Sequence, residues 1–316
     1  MEQMGMFNGD LPKRVPRRQV AKKADDSTVL RHFHGWTLDK LEVLERCLKV
    51  YRRVAGGGVY LDAFAGEARF SSTKGNRPVE AEGSAARAVH HGSFKRHILI
   101  ELEASSIAKL EAFKAALPEK KRATVEIIQG DCNEVIPTLL AADDRSNARW
   151  FTLLDPDSTQ LDFATVRALA GHLPYVEGSN PKKPQQCKVE LWILFNDQQA
   201  LRRMWPRDKV KHLEPIGVQR LDRVLGSRDA WQDLWDAKRS PTALRERYKE
   251  LLEGLGYRFV NETPIRDPRT GAVQYHMIHA SDHPAADRFM RWSRNAGAKE
   301  AGRGVELTIP GADWTE

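Results

Sequence analysis

The sequence predicts an α/β fold with a doubly wound, mostly parallel sheet of seven strands, an antiparallel terminal hairpin and a helical insertion. Three observations support this prediction. Short apolar runs alternate with helical patterns over residues 59–195, which is typical of parallel strands joined by right-handed crossovers. The alternation lapses over residues 198–240. The last two apolar segments are separated by a turn signal, which indicates a hairpin.

Five short apolar runs, typical of buried strands, predict the parallel part of the sheet. They cover residues 59–64, 97–102, 125–129, 150–154 and 189–195. Helical periodicity lies between them, over residues 84–91, 104–116, 133–142 and 163–172. Another helix is expected from Thr37 to a stop at the three glycines 56–58. This arrangement is Rossmann-like.

The rest of the chain divides into an insertion and the end of the sheet. A helix is predicted over 242–255, followed by strands over 257–262 and 273–281. We therefore expect a Rossmann-like core at 29–197, a helical insertion at 198–240 and the end of the core sheet at 241–293. Residues 1–28 are polar, basic and punctuated by proline, which predicts a disordered tail, and 294–316 form a C-terminal tail.

Composition narrows the class of protein. No apolar run of the 316 residues approaches the roughly 20 residues of a membrane span, and residues 1–24 lack a secretory signal. We expect a cytoplasmic protein without membrane contact. The three cysteines are far apart, so neither a disulfide framework nor a metal site is expected. The net charge of +7 favours a nucleic-acid partner, although a solvated basic tail accounts for much of the excess.

The strongest local motif follows the first predicted strand, as Asp62-Ala63-Phe64-Ala65-Gly66. Small residues there let the backbone turn tightly against a ligand at the carboxyl end of the strand. Asp62 would hold an ammonium group, and the missing side chain of Gly66 would admit the amino-acid part of a cofactor. The alternative is a plain turn with a buried, hydrogen-bonded Asp62.

Two further acidic turns follow the second and third strands. Glu101 closes the second strand and is expected to accept hydrogen bonds from both ribose hydroxyls, and Glu103, one step into the following turn, is the other candidate. The alternative is a surface glutamate that caps the next helix. Asp131 and Cys132 follow the third strand, where the Asp131 carboxylate and a neighbouring backbone N–H would contact adenine. Asp131 would otherwise cap the next helix, and Cys132 would otherwise be a packing residue.

The fourth strand ends in Asp155-Pro156, where we place the catalytic, acceptor-side residue. A carboxylate here would hold an amine or remove its proton, although a turn without chemistry fits equally well. The chain has neither GxGxxG after the first strand nor GxxxxGK[ST] anywhere. A cofactor without phosphate, S-adenosylmethionine, therefore fits better than a dinucleotide or ATP.

These motifs resemble the three-Cys-motif partner (TcmP) family. The matching segments are Trp36 and Lys40, residues 60–66, Gly83-Ser84, residues 130–133, Asp155-Pro156, residues 226–231 and residues 275–284. The resemblance implies a class I S-adenosylmethionine-dependent methyltransferase fold and a radical-SAM-like companion protein. The chain departs from the family pattern at Gly66-Glu67-Ala68, where Pro-Gly is usual, and at Asp157-Ser158, where an aromatic residue and Gly often stand.

The sequence thus predicts an S-adenosylmethionine-dependent methyltransferase with an unidentified acceptor. A nucleic acid or nucleobase is favoured by the basic charge and by Trp205 and Trp231, which would stack on bases. These tryptophans would otherwise pack the core of the insertion. The alternative function is a non-catalytic partner that keeps the fold and acts as a scaffold for a companion enzyme.

Overall fold

The computed structural model describes residues 32–33, 35–55, 57–74, 77–143, 148–176, 185–205, 215–240, 242–267 and 269–284. The tails predicted at 1–28 and 294–316 lie outside the described residues. The described strands are β1 (His32–Phe33), β2 (Val59–Asp62), β3 (Arg69–Lys74), β4 (Arg77–Glu82), β5 (Arg96–Glu101), β6 (Val125–Gln129), β7 (Trp150–Leu154), β8 (Tyr175–Val176), β9 (Gln185–Gln186), β10 (Glu190–Phe195), β11 (Phe259–Arg266) and β12 (Val273–Ser281).

Seven of these strands form one sheet in the order β11-β12-β10-β7-β2-β5-β6. The pairs β2–β5, β5–β6, β2–β7 and β7–β10 are parallel, whereas β12 is antiparallel to both β10 and β11. The predicted Rossmann-like sheet with an antiparallel terminal hairpin is therefore confirmed. The chain leaves β2 towards β5 and β6 and returns on its other side to β7, which makes β2 and β7 the switch point where such sheets bind ligands.

Helices cover both faces of the sheet. The described ones are α1 (Gly35–Ala55), α2 (Ser84–His91), α3 (Ala104–Ala115), α4 (Glu119–Arg122), α5 (Cys132–Ala142), α6 (Phe163–Gly171), α7 (Arg202–Met204), α8 (Pro215–Leu225), α9 (Gln232–Asp236) and α10 (Ala243–Gly254). Alternate residues of each strand point to opposite faces. Leu61 accordingly lies in the core under α5, α6 and α10, and Tyr60 in the core under α1, α2 and α3. None of the described helices is both long and apolar enough to cross a membrane.

A small second sheet was not predicted. Strands β3 and β4 form an antiparallel pair between the predicted strand at 59–64 and the predicted helix at 84–91, and β1 joins β3 in parallel. The pattern did not indicate strands because no residue of β4 is buried and the strand contains Pro78, so it lacks the apolar alternation of a half-buried strand. This sheet connects the turn after β2 with α2.

The described parts of 198–240 are largely helical, with a tight turn between α8 and α9. Gly226 has a φ of +93°, a left-handed conformation that favours glycine. Trp231 follows it with no exposed surface and donates from Nε1 to Asp222 Oδ1 at 2.8 Å. Trp205 packs on Trp231 with ring centroids 6.0 Å apart. Trp231 is therefore a core residue and does not stack on bases.

Candidate functional site

Four predicted acidic residues lie along one edge of the sheet. Asp62 and Glu101 end β2 and β5, and Asp131 and Asp155 follow β6 and β7 within two residues. Backbone hydrogen bonds join these turns directly. Ala63 N–H donates to the Leu153 carbonyl at 3.0 Å, Ala65 N–H to Ile100 at 2.9 Å, and Gly130 N–H to Glu101 at 3.0 Å. The carboxyl ends of four neighbouring strands thus present a continuous acidic edge.

The side chain of Asp62 is fully buried among neutral donors. Its carboxylate accepts hydrogen bonds from the Tyr60 hydroxyl at 3.0 Å and the Phe64 backbone N–H at 3.2 Å, and no lysine or arginine of the described chain pairs with it. Burial raises the pKa of Asp62 to about 6. A hydrogen bond from Ser84 opposes this shift, and the charge of Asp155 adds to it. A buried acid without a counter-ion favours a cationic ligand.

The turn after β2 brings Gly66 against Glu101. Gly66 has a φ of +59°, and among the described residues a Cβ at this position would meet only the Phe64 carbonyl oxygen, at 3.9 Å, so they leave the space beside the turn open. The Gly66 N–H donates to Glu101 Oε2 at 2.8 Å. Glu101 Oε1 accepts from the N–H groups of Leu102 and Glu103, each at 2.8 Å. Three backbone donors therefore fix the orientation of the Glu101 carboxylate.

Two further residues, Ala63 and Phe64, lie in the same turn. Ala63 is buried, and Phe64 is half-buried against the core beneath α5. Sequence reasoning missed Leu102, which is 45% exposed although it is a large apolar side chain. Its apolar side chain therefore lies at the acidic edge, directly after the fixed Glu101 carboxylate. In the sequence, Leu102 could have been identified by its position directly after Glu101, which ends a strand.

Asp131 acts as the N-cap of α5. Its Oδ1 accepts from the Asn133 backbone N–H and from Asn133 Nδ2, both at 2.9 Å. The capping interpretation is therefore correct, and contact with adenine stays a prediction for the same residue. The Cys132 side chain is buried in the apolar core, which agrees with its packing interpretation. The predicted contact of this turn with the cofactor stays a prediction.

Asp155 forms an ion pair that sequence reasoning did not anticipate. Lys40 Nζ of α1 donates to Asp155 Oδ2, and the two side chains are only 12% and 15% exposed. Burial alone would lower the pKa of Lys40, but Asp155 outweighs it, and the pKa lies above its usual value, with smaller contributions from Tyr275 and Asp157. Lys40 therefore stays protonated. No spacing rule connects two residues that lie 115 positions apart.

A narrow cleft adjoins the Asp155 turn on the α10 face of the sheet. Its walls come from the ends of β7 and β10 and from the helices over them. They consist of Pro156, Ser158, Leu161, Ile193, Leu194, Phe195, Asn196, Leu201, Val224 and Tyr248. None of these ten side chains is charged, so the cleft differs in character from the acidic edge beside it.

A buried charged cluster supports the end of β10. A π-helical turn, Asp197–Leu201, follows this strand and leads into α7. Asp197 Oδ1 contacts His276 Nδ1 at 2.8 Å, and Asp197 Oδ2 accepts from Arg245 Nη1 at 2.8 Å. Burial alone would raise the pKa of Asp197, but His276 and Arg245 outweigh it and hold the pKa below its usual value. Asp197 therefore stays ionised and anchors the π-helical turn.

Three solved structures illustrate what the chain is similar to. The methyltransferase domain of a bacterial CtHen1 is 15% identical over 77% of this chain and 99% of its own, with a TM-score of 0.39. M. jannaschii TYW2, in complex with AdoMet, is 11% identical over 79% and 76%, with a TM-score of 0.38. The glycopeptide N-methyltransferase MtfA, complexed with S-adenosyl-L-homocysteine, is 12% identical over 79% and 92%, also with a TM-score of 0.38.

No protein-family model matches the chain, and no curated protein is significantly similar to it. The structural likenesses combine low identity with TM-scores below 0.5. They do not bear on the function of this chain, for which the sheet order and the side chains at its carboxyl edge are the relevant observations.

Proposed function

We propose that this protein is an S-adenosylmethionine-dependent methyltransferase of the class I type. One observation carries the proposal. Asp62, fully buried and without a cationic partner, ends the strand at the switch point, directly before the open left-handed turn at Gly66. Such a carboxylate is stabilised by a ligand that brings its own positive charge. S-adenosylmethionine carries both an ammonium and a sulfonium group.

The neighbouring residues fit the adenosyl part of the same ligand. Glu101, oriented by three backbone donors, binds the ribose hydroxyls, and Leu102 packs on the adenine ring. Asp131 and the Cys132 N–H lie at the next strand end, where they contact the adenine edge. The turn after β2 has no glycine-rich phosphate cradle, which is consistent with a ligand that carries no phosphate.

The bound cofactor supplies a methyl group on a positively charged sulfur, so the protein needs mainly to align an acceptor with it. Alignment alone contributes up to roughly 7–11 kcal/mol in favourable cases. Because Lys40 occupies Oδ2 of Asp155, we assign Asp155 the role of orienting the acceptor through its other oxygen. The cleft beginning at Pro156 and Ser158 lies beside this position.

We further propose that the chain is a TcmP-family methyltransferase with a radical-SAM-like companion. The support is the match at residues 226–231 and 275–284, which here form the left-handed turn before Trp231 and most of β12. The ion pair between Lys40 and Asp155 favours a second candidate, a non-catalytic scaffold, because it leaves Asp155 less available to an acceptor.

Isothermal titration of the full chain with S-adenosylmethionine tests the proposal. Asp62→Asn should abolish most of the affinity while the folded structure, followed by circular dichroism, is retained. Glu103→Gln is the control, since Glu103 is exposed and its backbone N–H, which donates to Glu101, is unchanged by the substitution. Release of S-adenosylhomocysteine with nucleic-acid, protein and small-molecule acceptors then separates the two candidates. Cofactor binding without turnover on any acceptor indicates the scaffold, and no binding at all refutes the methyltransferase.

A further inference from the structure

A strip of amide and arginine side chains lies at the edge of the sheet where the parallel strands end. We call it the amide–arginine rim. It consists of Asn196, Gln198, Gln199, Arg202 and Arg203, which follow β10, and Gln274 near the start of β12. Phe195 pairs with His276 across these two strands, so both parts of the rim lie at the same edge of the sheet as Asp155.

The amides of the rim are tied together and to the Asp155 turn. Gln199 Nε2 donates to Gln274 Oε1 at 2.7 Å, and both side chains reach the surface. Asn196 Nδ2 donates to the Asp157 carbonyl at 3.4 Å. The Gln199 side-chain carbonyl accepts no hydrogen bond from any described residue. Paired amides of this kind offer donors and acceptors that match the edges of nucleobases.

The two arginines of the rim differ from their neighbours in charge pairing. Four nearby arginines are each neutralised by an aspartate, in the pairs Arg223–Asp162, Arg228–Asp222, Arg245–Asp197 and Arg247–Asp233. Arg202 and Arg203 are exposed on α7, and neither has an ion pair with any described residue. Arg220 of α8, a helix that packs against α7, is also exposed and unpaired within the described chain. Among the described residues, these three arginines therefore have no acidic partner.

We propose that the amide–arginine rim binds a nucleic-acid strand, with phosphates on Arg202 and Arg203 and a base edge on Gln199 and Gln274. In this binding mode a base of the strand lies beside Asp155, and the methyl acceptor is a nucleobase within the strand. The net charge of +7 agrees with a polyanionic partner. The methylation part rests on the proposed function, whereas binding of the strand does not.

Fluorescence anisotropy with labelled, mixed-sequence single strands of RNA and of DNA tests the surface, using the full chain without cofactor over a range of salt concentrations. Arg202→Glu combined with Arg203→Glu should weaken binding by roughly tenfold or more and reduce the steepness of the log–log salt dependence by about 1.4, for two lost phosphate contacts. The control is Lys120→Glu with Arg122→Glu in α4. These residues are also exposed and carry the same charge, but α4 precedes β6 and therefore lies at the opposite edge of the sheet.

The outcomes separate this inference from the proposed function. Equal losses in the two double variants would mean that only net charge matters, and would overturn the assignment of the rim. Unchanged binding in the Arg202 and Arg203 variant would overturn it as well. Strand binding that depends on the rim, in a protein that fails to bind S-adenosylmethionine, would support the rim and refute the methyltransferase. Gln199→Ala should alter the preference among homopolymer strands without changing the salt dependence.

Discussion

Binding of S-adenosylmethionine should weaken as the pH falls from 7 to 5, and Asp62 should be the cause. Burial raises the pKa of Asp62 to about 6. Only the ionised carboxylate attracts the ammonium of the ligand. The ligand itself keeps one charge state over this range, because an α-amino group titrates near about 8 and an α-carboxyl near about 3.5. The ionised fraction of Asp62 drops from about nine-tenths to about one-tenth, which predicts roughly tenfold weaker binding.

Titration calorimetry at pH 5, 6 and 7 measures this effect, and repeating the pH 6 titration in buffers of different ionisation enthalpy counts the protons released. Near pH 6, about half a proton should leave the protein for each ligand bound, since half of the Asp62 carboxyls are then protonated. Asp62→Asn supplies the control and should bind weakly at every pH without proton release. A wild-type affinity that stays flat between pH 5 and 7, or a pH dependence that survives in Asp62→Asn, would refute the reasoning.

The raised pKa of Asp62 also makes the stability of the ligand-free protein depend on pH. The pKa of Asp62 is raised by folding from 3.8 to about 6, so its contribution to stability is fully present below 3.8 and is lost as the pH rises through 6. The loss amounts to about 3 kcal/mol of unfolding free energy, at about 1.4 kcal/mol for each pKa unit. From pH 4 to pH 7, the free energy of unfolding should therefore fall less, or rise more, in Asp62→Asn than in the wild type. Denaturant titrations at the two pH values measure this difference.

Three further predictions concern the other side chains of the edge. Glu101→Gln should weaken cofactor binding by about 1.5–3 kcal/mol, as expected for hydrogen bonds to a charged group, whereas Glu103→Gln should leave the titration unchanged. Lys40→Met should lower the free energy of unfolding in urea by about 3–5 kcal/mol, because Asp155 is left without its partner, and adding Asp155→Asn should restore part of this loss. A double variant no more stable than Lys40→Met would contradict the claim that the unpaired Asp155 carboxylate causes the loss. Gly66→Ala should cost about 1–2 kcal/mol of stability from its left-handed backbone, measured by thermal unfolding, and an unchanged melting temperature would argue against that conformation.

Most of the parallel strands could be predicted from sequence because β2, β7 and β10 are buried along nearly their whole length and are therefore almost continuous apolar segments. The run at 150–154 matches β7 in full, and the run at 125–129 matches β6, the half-buried edge strand of the sheet. Their acidic neighbours were then placed correctly at the edge, because the carboxyl ends of parallel strands point the same way. The sequence pattern therefore predicts where these acidic residues lie, because the topology of the sheet determines where each strand ends.

Features that depend on tertiary contacts could not be predicted in this way. The β3–β4 pair is polar and partly exposed, so it has no apolar pattern. Lys40 occupies a helix whose other residues follow ordinary helical spacing, and only the packing of α1 over the sheet brings it to Asp155. The π-helical turn after β10 depends on Asn196 and on the buried Asp197, whose partners come from β12 and α10.

The distribution of charge along the edge explains why a cationic cofactor would choose one strand end over another. Asp62 and Asp155 follow adjacent strands, and each would attract a positive group if both were bare. Lys40 neutralises Asp155 permanently, since its pKa lies above the usual value, and leaves Asp62 as the buried acid that still lacks a cation. A ligand with an ammonium group therefore gains more free energy at Asp62 than at Asp155. The electrically neutral pair next to it is then left for an acceptor, whose approach would otherwise compete with the cofactor for the same carboxylate.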